Sequence, residues 1–408
     1  MKIAINAVSA KMGGAVSYLT NVLRHLPPPE SGDRFFVFVP GETAKLLGDG
    51  SQNLNLCPVS ARDSSDRRRY YWEQVALRRF LQRENIDALF SSANFAMFRC
   101  PVRQILLVRN AVYFSKMYQE TILPRQNWKR RARFRLSRRL VCMSARTADV
   151  VMTPTQAMLD GLRDYAEVPP HKALVNPYGV EPCNDNGPSP QREEGRESPE
   201  ASGRVLSTTP RRSPVRLLYV SLFGENKDLS TLLRALPLLN RDGGRGFVLK
   251  TTANPHWKEV AQTVMRPEAI ALLQSPEIAP RVQFVGPLPR RETQRLYLDA
   301  DLFVFPSWLE SFGQPMAEAM AHGLPIVAAD TPVNREICGE SAIYFRVGDP
   351  GDLAEKVRNL AADEAVRQRL SESGRMRVAH NFKWESHVRR LLAALTRDQA
   401  PPNDAIGC

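Results

Sequence analysis

The sequence predicts an α/β protein with two Rossmann-like halves that face each other across a cleft. Two observations lead to this prediction. Short apolar runs that suit buried strands alternate with helical patterns along the chain, which is typical of βαβ units on a parallel sheet. The chain also has 408 residues, which is too long for one ordinary core and favours two domains.

The first half is predicted to span residues 1–183. It begins with a short strand at Lys2–Ile5, followed by the sharp turn Gly13-Gly14. Apolar residues then recur at helical spacing from Val16 to Leu26, and three consecutive prolines end that helix. Further buried strands are predicted at Phe35–Val39, Ala88–Phe90, Gln104–Val108 and Val150–Met152.

The composition changes at residues 184–214, which are rich in Pro, Ser, Gly, Glu and Arg and are predicted to form a flexible linker or excursion. The second half is predicted at 215–380. The last segment, 381–408, is predicted to carry a helix at about Trp384–Leu395 that packs back on the first half. The second half should hold strands at 215–220, 247–249, 282–285, 302–305 and 326–328, and helices at 229–239, 292–300, 315–322, 352–361 and 364–377.

One segment between a strand and a helix carries most of the chemical information. It follows the strand that ends at Phe305, and Pro315 suits the first position of the next helix. The free N–H groups of residues 312–314 and the helix dipole are expected to bind an anion. Glu310 and Glu318 would flank that anion. Two carboxylates in these positions suit a nucleotide sugar, because it carries hydroxyl groups on both sides of its diphosphate. The plain alternative is that the dipole alone favours two exposed carboxylates at this helix end.

The run from Glu310 to Glu318 resembles the Glu-x7-Glu signature of the retaining family 4 glycosyltransferases, which have the GT-B fold. The Ala-Met-Ala-His-Gly-Leu-Pro-Ile-Val-Ala that follows is similar to the family's "EAMACGxPVVA" run. Other segments that fall at family positions are Gly13-Gly14, 153–155, 176–180, Lys227, 335–337, 339–342 and 348–352. The resemblance implies transfer of a sugar, with retention, from a nucleoside-diphosphate sugar to a hydroxyl acceptor.

The resemblance also implies roles for single residues. Glu318 is expected to bind the donor ribose and Glu310 to lie at the sugar as a catalytic residue. Lys227 is expected to neutralise the leaving diphosphate, although a solvated loop lysine is the alternative. The full set expected to bind the donor is Glu318, Ser311, Phe312, Gly313, Gln314, Gly13 and Gly14. No cofactor or metal is expected, since the six histidines are scattered and no Asp-x-Asp follows a strand.

Two places depart from the family's pattern. Val220-Ser-Leu222 stands where relatives usually carry Val-Gly-Arg, so one cation is missing. Arg109-Asn110 stands where many relatives carry His-Asp or His-Asn. Arg109, Asn110 and Thr155 are still expected at the cleft, and Thr155 also as an N-cap. These departures leave two alternatives open: a nucleotide-sugar 2-epimerase of the same fold, and a catalytically inactive relative.

The formal net charge of +13 is concentrated in the first half, at residues 129–139, Arg67–Trp72 and Arg78-Arg79. A basic amphipathic segment there predicts association with an anionic membrane through 129–139, and a lipid-linked saccharide as acceptor. A nucleic-acid-binding protein is the distant alternative, but no nucleic-acid-binding signature is present. No run of about 18 apolar residues, signal-peptide pattern or CxxC occurs, so the expected location is the cytoplasm, peripheral to the inner face of the membrane.

Overall fold

A computed structural model of the protein describes residues 1–11, 13–48, 52–60, 66–181, 214–221, 224–241, 246–253 and 267–396. The predicted linker, apart from Pro214, lies outside these residues, as do Leu222 and the end of the predicted C-terminal segment from 397 to 408.

The described residues of the first half form one parallel sheet of seven strands, in the order β3-β2-β1-β4-β5-β6-β7. Continuous apolar runs suit such strands because helices cover both faces of the sheet. Ile3, for example, pairs with Phe35 on one side and Ala88 on the other, and all three are buried. The strands are β1 Lys2–Asn6, β2 Arg34–Pro40, β3 Leu54–Val59, β4 Ala88–Ser91, β5 Arg103–Leu107, β6 Val150–Thr153 and β7 Ala173–Val175.

The described residues of the second half form a parallel sheet of six strands, in the order β10-β9-β8-β11-β12-β13. Its centre is β11, where Phe303 pairs with Leu218 of β8 and with Ile326 of β12. The strands are β8 Val215–Tyr219, β9 Phe247–Thr251, β10 Val282–Phe284, β11 Leu302–Phe305, β12 Ile326–Ala329 and β13 Ala342–Phe345. In both sheets the strand order reverses beside the first strand, which is where doubly wound folds bind ligands.

Helices pack on the faces of both sheets. The helices of the first half are α1 Gly14–Arg24, α2 Gly41–Leu47, α3 Asp66–Gln74, α4 Ala76–Arg83, α5 Lys116–Thr121, α6 Trp128–Thr147 and α7 Gln156–Arg163. Those that follow are α8 Leu229–Leu239, α9 Pro267–Gln274, α10 Arg290–Asp299, α11 Gln314–Ala321, α12 Pro332–Cys338, α13 Pro350–Ala362, α14 Glu364–Asn381 and α15 Trp384–Thr396. None of the helices in the described ranges is both long and apolar enough to cross a membrane.

The last helix, α15, returns the chain to the first half. The Arg103 side chain at the start of β5 donates through Nε to the Ala394 carbonyl at 2.8 Å. Asn176 after β7 donates to the His387 carbonyl at 3.0 Å, and the Trp384 ring lies 5.9 Å from that of Tyr18. The first half is therefore packed against both ends of this helix.

The predicted elements of the second half are present with small shifts at their ends. The helix predicted from Pro315 begins one residue earlier, at Gln314, because Gly313 adopts the left-handed conformation that starts it. The short strands β3, β7 and β13 and the helix α12 were not predicted. Each is three to seven residues long, which leaves too few residues for a clear hydrophobic period.

The carboxyl ends of the two sheets meet at a shared cleft. Thr155, after β6, donates through Oγ1 to the Ser311 carbonyl, after β11, at 3.0 Å. Gln314 donates through Nε2 to the Gly179 carbonyl of the first half at 3.1 Å. The Glu336 carboxylate of α12 accepts from the amides of Gln156 and Ala157 at the start of α7, at 2.6 and 2.8 Å. These contacts hold the two halves together.

Candidate functional site

A cavity of about 490 Å³ lies in the cleft between the halves. Its walls combine side chains from both sheets and from α15, as expected for a site at the carboxyl ends of parallel strands. The first half and α15 contribute Gly14, Tyr18, Asn21, Arg109, Tyr178, Glu181 and Trp384, among others. The second half contributes Ser221, Lys227, Arg290, Tyr297, residues 310–315, Glu318 and His322, among others.

Two of the predicted site residues form an ion pair inside this cavity. The Lys227 Nζ lies 2.5 Å from Oε1 of Glu310, and their side chains are 25% and 12% exposed. Lys227 is held at the end of a 3₁₀ turn, Glu225–Lys227, where its carbonyl accepts a hydrogen bond from the Tyr219 hydroxyl at 2.7 Å. The sequence placed both residues at the site, but their direct contact was not predicted because 83 positions separate them.

The turn before α11 presents backbone amides to the cavity. Gly313 has φ 81° and ψ 49°, a left-handed conformation that a side chain would strain. The amides of Ser311, Phe312 and Gly313 donate no hydrogen bond to the described part of the chain, as is usual for the start of a helix. The Phe312 side chain is buried between Tyr178 and Phe382, so this residue reaches the cavity through its backbone. The arrangement suits an anion.

Glu318 lies one turn into α11, within the same wall. Its Oε2 accepts a hydrogen bond from the Tyr297 hydroxyl at 2.9 Å, and the Tyr297 ring stacks on His322 at 5.0 Å. Burial raises the pKa of the Glu318 carboxyl, and hydrogen bonds from Tyr297 and Gln314 and the charge of Arg290 oppose that rise. The carboxylate is therefore fixed in place and partly desolvated.

The predicted residues of the first half divide into two groups. Gly14 and Arg109 line the cavity, whereas Gly13, Asn110 and Thr155 are not among the residues of its walls in the described chain. Gly13 precedes α1 with φ 60°. Asn110 accepts from the Val112 amide and so starts a 3₁₀ turn. Thr155 caps α7, as predicted, by accepting from the Met158 amide at 3.2 Å.

No group of three or more potential metal ligands occurs among the described residues. The sequence had led to the expectation of no metal site, and that expectation remains a prediction.

Comparisons with known proteins identify the family. A family model described as Glycosyltransferase Family 4 matches residues 12–182, and one described as Glycosyl transferases group 1 matches residues 214–363. One model covers each half, and together they span most of the chain. The chain belongs to the group 1 glycosyltransferases of family 4.

Several proteins are similar to this chain. It is 30% identical over 251 residues to the D-inositol 3-phosphate glycosyltransferase of Nocardioides sp., a match that covers 58% of this chain and 53% of the relative. It is 26% identical over 180 residues to O-antigen chain mannosyltransferase B of Escherichia coli, with 43% and 44% covered. The matches thus span about half the length of these curated relatives. The crystal structure of HepE from Anabaena in complex with UDP-glucose has a TM-score of 0.68 at 15% identity and covers 97% of this chain and 99% of that one, which shows the GT-B fold.

The structure also brings residues to the site that were not predicted to lie there. Arg290 lies in the cavity wall, 2.8 Å from the Glu181 carboxylate. Ser221 precedes Leu222, the position at which relatives usually carry the arginine of Val-Gly-Arg. It lines the cavity as a small buried residue. Tyr297, which positions Glu318, lies on α10. No sequence signal marks Arg290 and Tyr297, because each reaches the site only when separate elements pack together. Ser221 lies in a segment that the sequence had marked only as a departure from the family's pattern.

Proposed function

We propose that this glycosyltransferase transfers a sugar from a nucleoside-diphosphate sugar to a hydroxyl acceptor, with retention at the anomeric carbon and without a metal ion. One observation carries the proposal: a half-buried carboxylate, an amide-lined turn and an ion pair, contributed by Glu318, Gly313 and Lys227–Glu310, share one wall of the cavity. Along this wall, Glu318 fits the ribose, the turn at Gly313 fits the diphosphate, and the Lys227–Glu310 pair fits the junction of diphosphate and sugar.

Each part of this wall has a chemical role in the proposal. The Glu318 carboxylate accepts hydrogen bonds from the ribose hydroxyls, and Tyr297 keeps it oriented. The free amides before α11 and the Lys227 ammonium stabilise the charge that develops on the diphosphate as the bond to the anomeric carbon breaks. The acceptor oxygen forms its bond on the same face of the sugar and passes its proton to the departing phosphate. Glu310 orients the sugar.

The comparisons support a proposal for the class of donor and the class of product. HepE was crystallised with UDP-glucose, and one curated relative is named for an O-antigen chain. We therefore propose a UDP-sugar as donor and a surface polysaccharide or glycolipid as the product. A 2-epimerase or an inactive relative would share the donor site, so binding alone does not separate the three.

The test measures donor turnover and its products. Purified protein is incubated with UDP-glucose, with and without membrane extract as a source of acceptor, and in the presence of EDTA. Release of UDP together with labelled product of retained configuration is expected, and Glu310→Gln should lower it at least about tenfold. An epimerised nucleotide sugar, or binding of UDP-glucose with no turnover, would point to one of the two alternatives and refute the proposal.

We also propose that α6 attaches the enzyme to an anionic membrane and so gives access to a lipid-linked acceptor. The buried face of α6 is formed by Phe134, Val141, Cys142, Ser144 and Ala145. A stripe of apolar residues at helical spacing, formed by Ala132, Leu136 and Leu140, lies on another face. Ala132 and Leu136 are exposed, Leu136 by 59%, in line with Trp128, which is 68% exposed, and Leu140 is half-buried. Arginines surround this stripe, as in helices that lie in a membrane interface.

The second basic cluster makes a smaller contribution to this surface. The Arg69 guanidinium turns inward, where its Nε lies 3.7 Å from the buried Glu73 carboxylate. Arg78 donates to the Phe98 carbonyl at 2.9 Å. Both therefore stabilise the first half, and the proposed membrane contact rests on α6.

Vesicle flotation tests this contact with a matched pair of variants. Leu136 on α6 and Met376 on α14 are each 59% exposed, so Leu136→Ser and Met376→Ser remove similar apolar area. Binding to vesicles of phosphatidylcholine with phosphatidylglycerol should fall about threefold or more for Leu136→Ser and stay unchanged for Met376→Ser. Equal recovery with vesicles of phosphatidylcholine alone would contradict the proposal.

A further inference from the structure

The wall of the cavity formed by the first half and α15 contains several buried polar groups without a protein partner. Among the described residues, no atom lies in hydrogen-bond range of the Tyr178 hydroxyl, Nε1 of Trp384 or Oδ1 of Asn21. All three side chains are more than nine-tenths buried and line the cavity. A buried polar group that stays unsatisfied destabilises the site, so a ligand that supplies partners would be bound with selectivity.

A cation, Arg109, lines the same cavity as these groups. The Arg109 guanidinium lies 5.6 Å from the centre of the Tyr18 ring, and the Tyr178 ring lies 4.9 Å from that ring. The Trp384 ring stacks on Tyr178 at 6.3 Å with an interplanar angle of 11°. Asn21 lies one turn after Tyr18 on α1. The cluster therefore combines a guanidinium, a hydroxyl and an indole N–H, all of which can donate, with one amide oxygen that can accept.

Arg109 differs from the other cations that line the described part of the cavity. Lys227 is paired with Glu310 and Arg290 with Glu181, whereas no carboxylate of the described chain pairs with Arg109. Its backbone is fixed, because its amide donates to Oδ1 of Asn94 at 2.9 Å. The structure thus holds a positive charge at the cavity wall and leaves it without a neutralising partner.

The platform beneath Arg109 is uncharged and rigid. The Tyr18 hydroxyl lies 2.9 Å from Nε2 of His387, whose Nδ1 lies 2.9 Å from the Pro177 carbonyl. Nδ1 therefore carries the proton and donates to that carbonyl, and Nε2 accepts from Tyr18. Burial lowers the pKa of His387 to about 4, so the ring is neutral near pH 7. The positive charge of the cluster therefore belongs to Arg109.

We infer that this cluster is a subsite for an anionic group, a carboxylate or phosphate, on one of the two sugars that the enzyme handles. The inference rests on the proposed function and deepens it. Arg109, the Tyr178 hydroxyl and Trp384 Nε1 bind the anion, and the Asn21 amide oxygen accepts from a neighbouring hydroxyl. The charged group is carried either by the transferred sugar or by the acceptor, and both sources present the same chemistry to Arg109.

Isothermal titration with paired probes distinguishes the sources. The donor arm compares UDP-glucose with UDP-glucuronic acid. The acceptor arm compares glucose with glucose 6-phosphate in the presence of saturating UDP. In one arm the anionic probe should bind about tenfold more tightly than the neutral one, because charge-assisted hydrogen bonds are about twice as strong as neutral ones. The arm in which the preference occurs identifies the sugar that carries the charge.

Variants connect that preference to the cluster. Arg109→Gln should abolish it, Arg109→Lys should retain part of it, and Tyr178→Phe should reduce it about two- to threefold. Arg34→Gln removes the same charge from an exposed side chain at the amino end of β2, and should leave the preference intact. UDP binding without any preference for the anionic probes, or a preference that survives Arg109→Gln, would overturn the inference alone. Failure of the native protein to bind UDP would overturn the proposed function as well.

Discussion

The ion pair between Lys227 and Glu310 gives the sharpest prediction, because each side chain holds the other in the cavity. Removing one partner of a fully buried pair costs about 3–5 kcal/mol, whereas an exposed pair contributes about 0–1 kcal/mol. With side chains 25% and 12% exposed, this pair lies between these limits. Lys227→Met leaves the Glu310 carboxylate unpaired, and the free energy of unfolding should fall by about 2 kcal/mol. Glu310→Gln should cost about 1 kcal/mol, because the Lys227 side chain that it leaves unpaired is 25% exposed and keeps more of its hydration.

The double variant decides whether the two residues act as a unit. If they do, Lys227→Met/Glu310→Gln should be no less stable than Lys227→Met alone, since no unpaired charge remains. Turnover should show the same coupling: each single change lowers kcat at least about tenfold, and the double variant loses little more than the worse single one. Urea unfolding and UDP-glucose turnover measure the two effects. Losses that simply add in both measurements would refute the reasoning.

Three further predictions concern single residues. Burial raises the pKa of Glu318 above its unfolded value, so the native state binds the extra proton between the two pKa values, and stability should fall as pH rises through that range. Glu318→Gln should remove this pH dependence in thermal unfolding and weaken UDP-glucose binding in calorimetry. Gly313→Ala introduces a side chain at φ 81°, which should lower the free energy of unfolding in urea by about 1–2 kcal/mol and raise the KM for UDP-glucose. An unchanged free energy of unfolding and an unchanged KM would contradict the left-handed turn. Glu336→Ala removes both acceptors of the α7 amides, so small-angle scattering should report a larger radius of gyration. Asp160→Ala, on α7, should leave the radius of gyration unchanged.

Much of the cavity wall around Glu310 and Glu318 could be predicted from the sequence because it is local. A strand that ends at Phe305, a glycine turn and a proline near a helix start fix the spacing of Glu310 and Glu318 within one short segment. Their positions on the chain determine their positions in space to within one helical turn. The same holds for Thr155, whose place before a helix predicted its capping role.

The rest of the site depends on contacts between distant elements. Tyr297 reaches Glu318 because α10 packs beside α11, and Trp384 enters the cavity because α15 returns to the first half. In α6 the helical period was clear, but the period alone does not say which apolar residues face the core. Phe134 is buried and Leu136 is exposed, although both lie in the same basic run. Phe134 is buried because it packs against Tyr113 and Tyr118 of the segment before α6.

In the proposed reaction, the pairing of Lys227 with Glu310 links binding of the donor to the availability of Glu310. When no diphosphate is bound, the Glu310 carboxylate accepts from Lys227 and has less capacity to bind a sugar hydroxyl. An arriving diphosphate competes for the ammonium, because it carries more negative charge than one carboxylate. As Lys227 moves toward the phosphates, Glu310 becomes available to the sugar. In this proposal, the event that brings the leaving group into place also releases the sugar-orienting group. A sugar that enters alone meets a site in which Lys227 and Glu310 still neutralise each other.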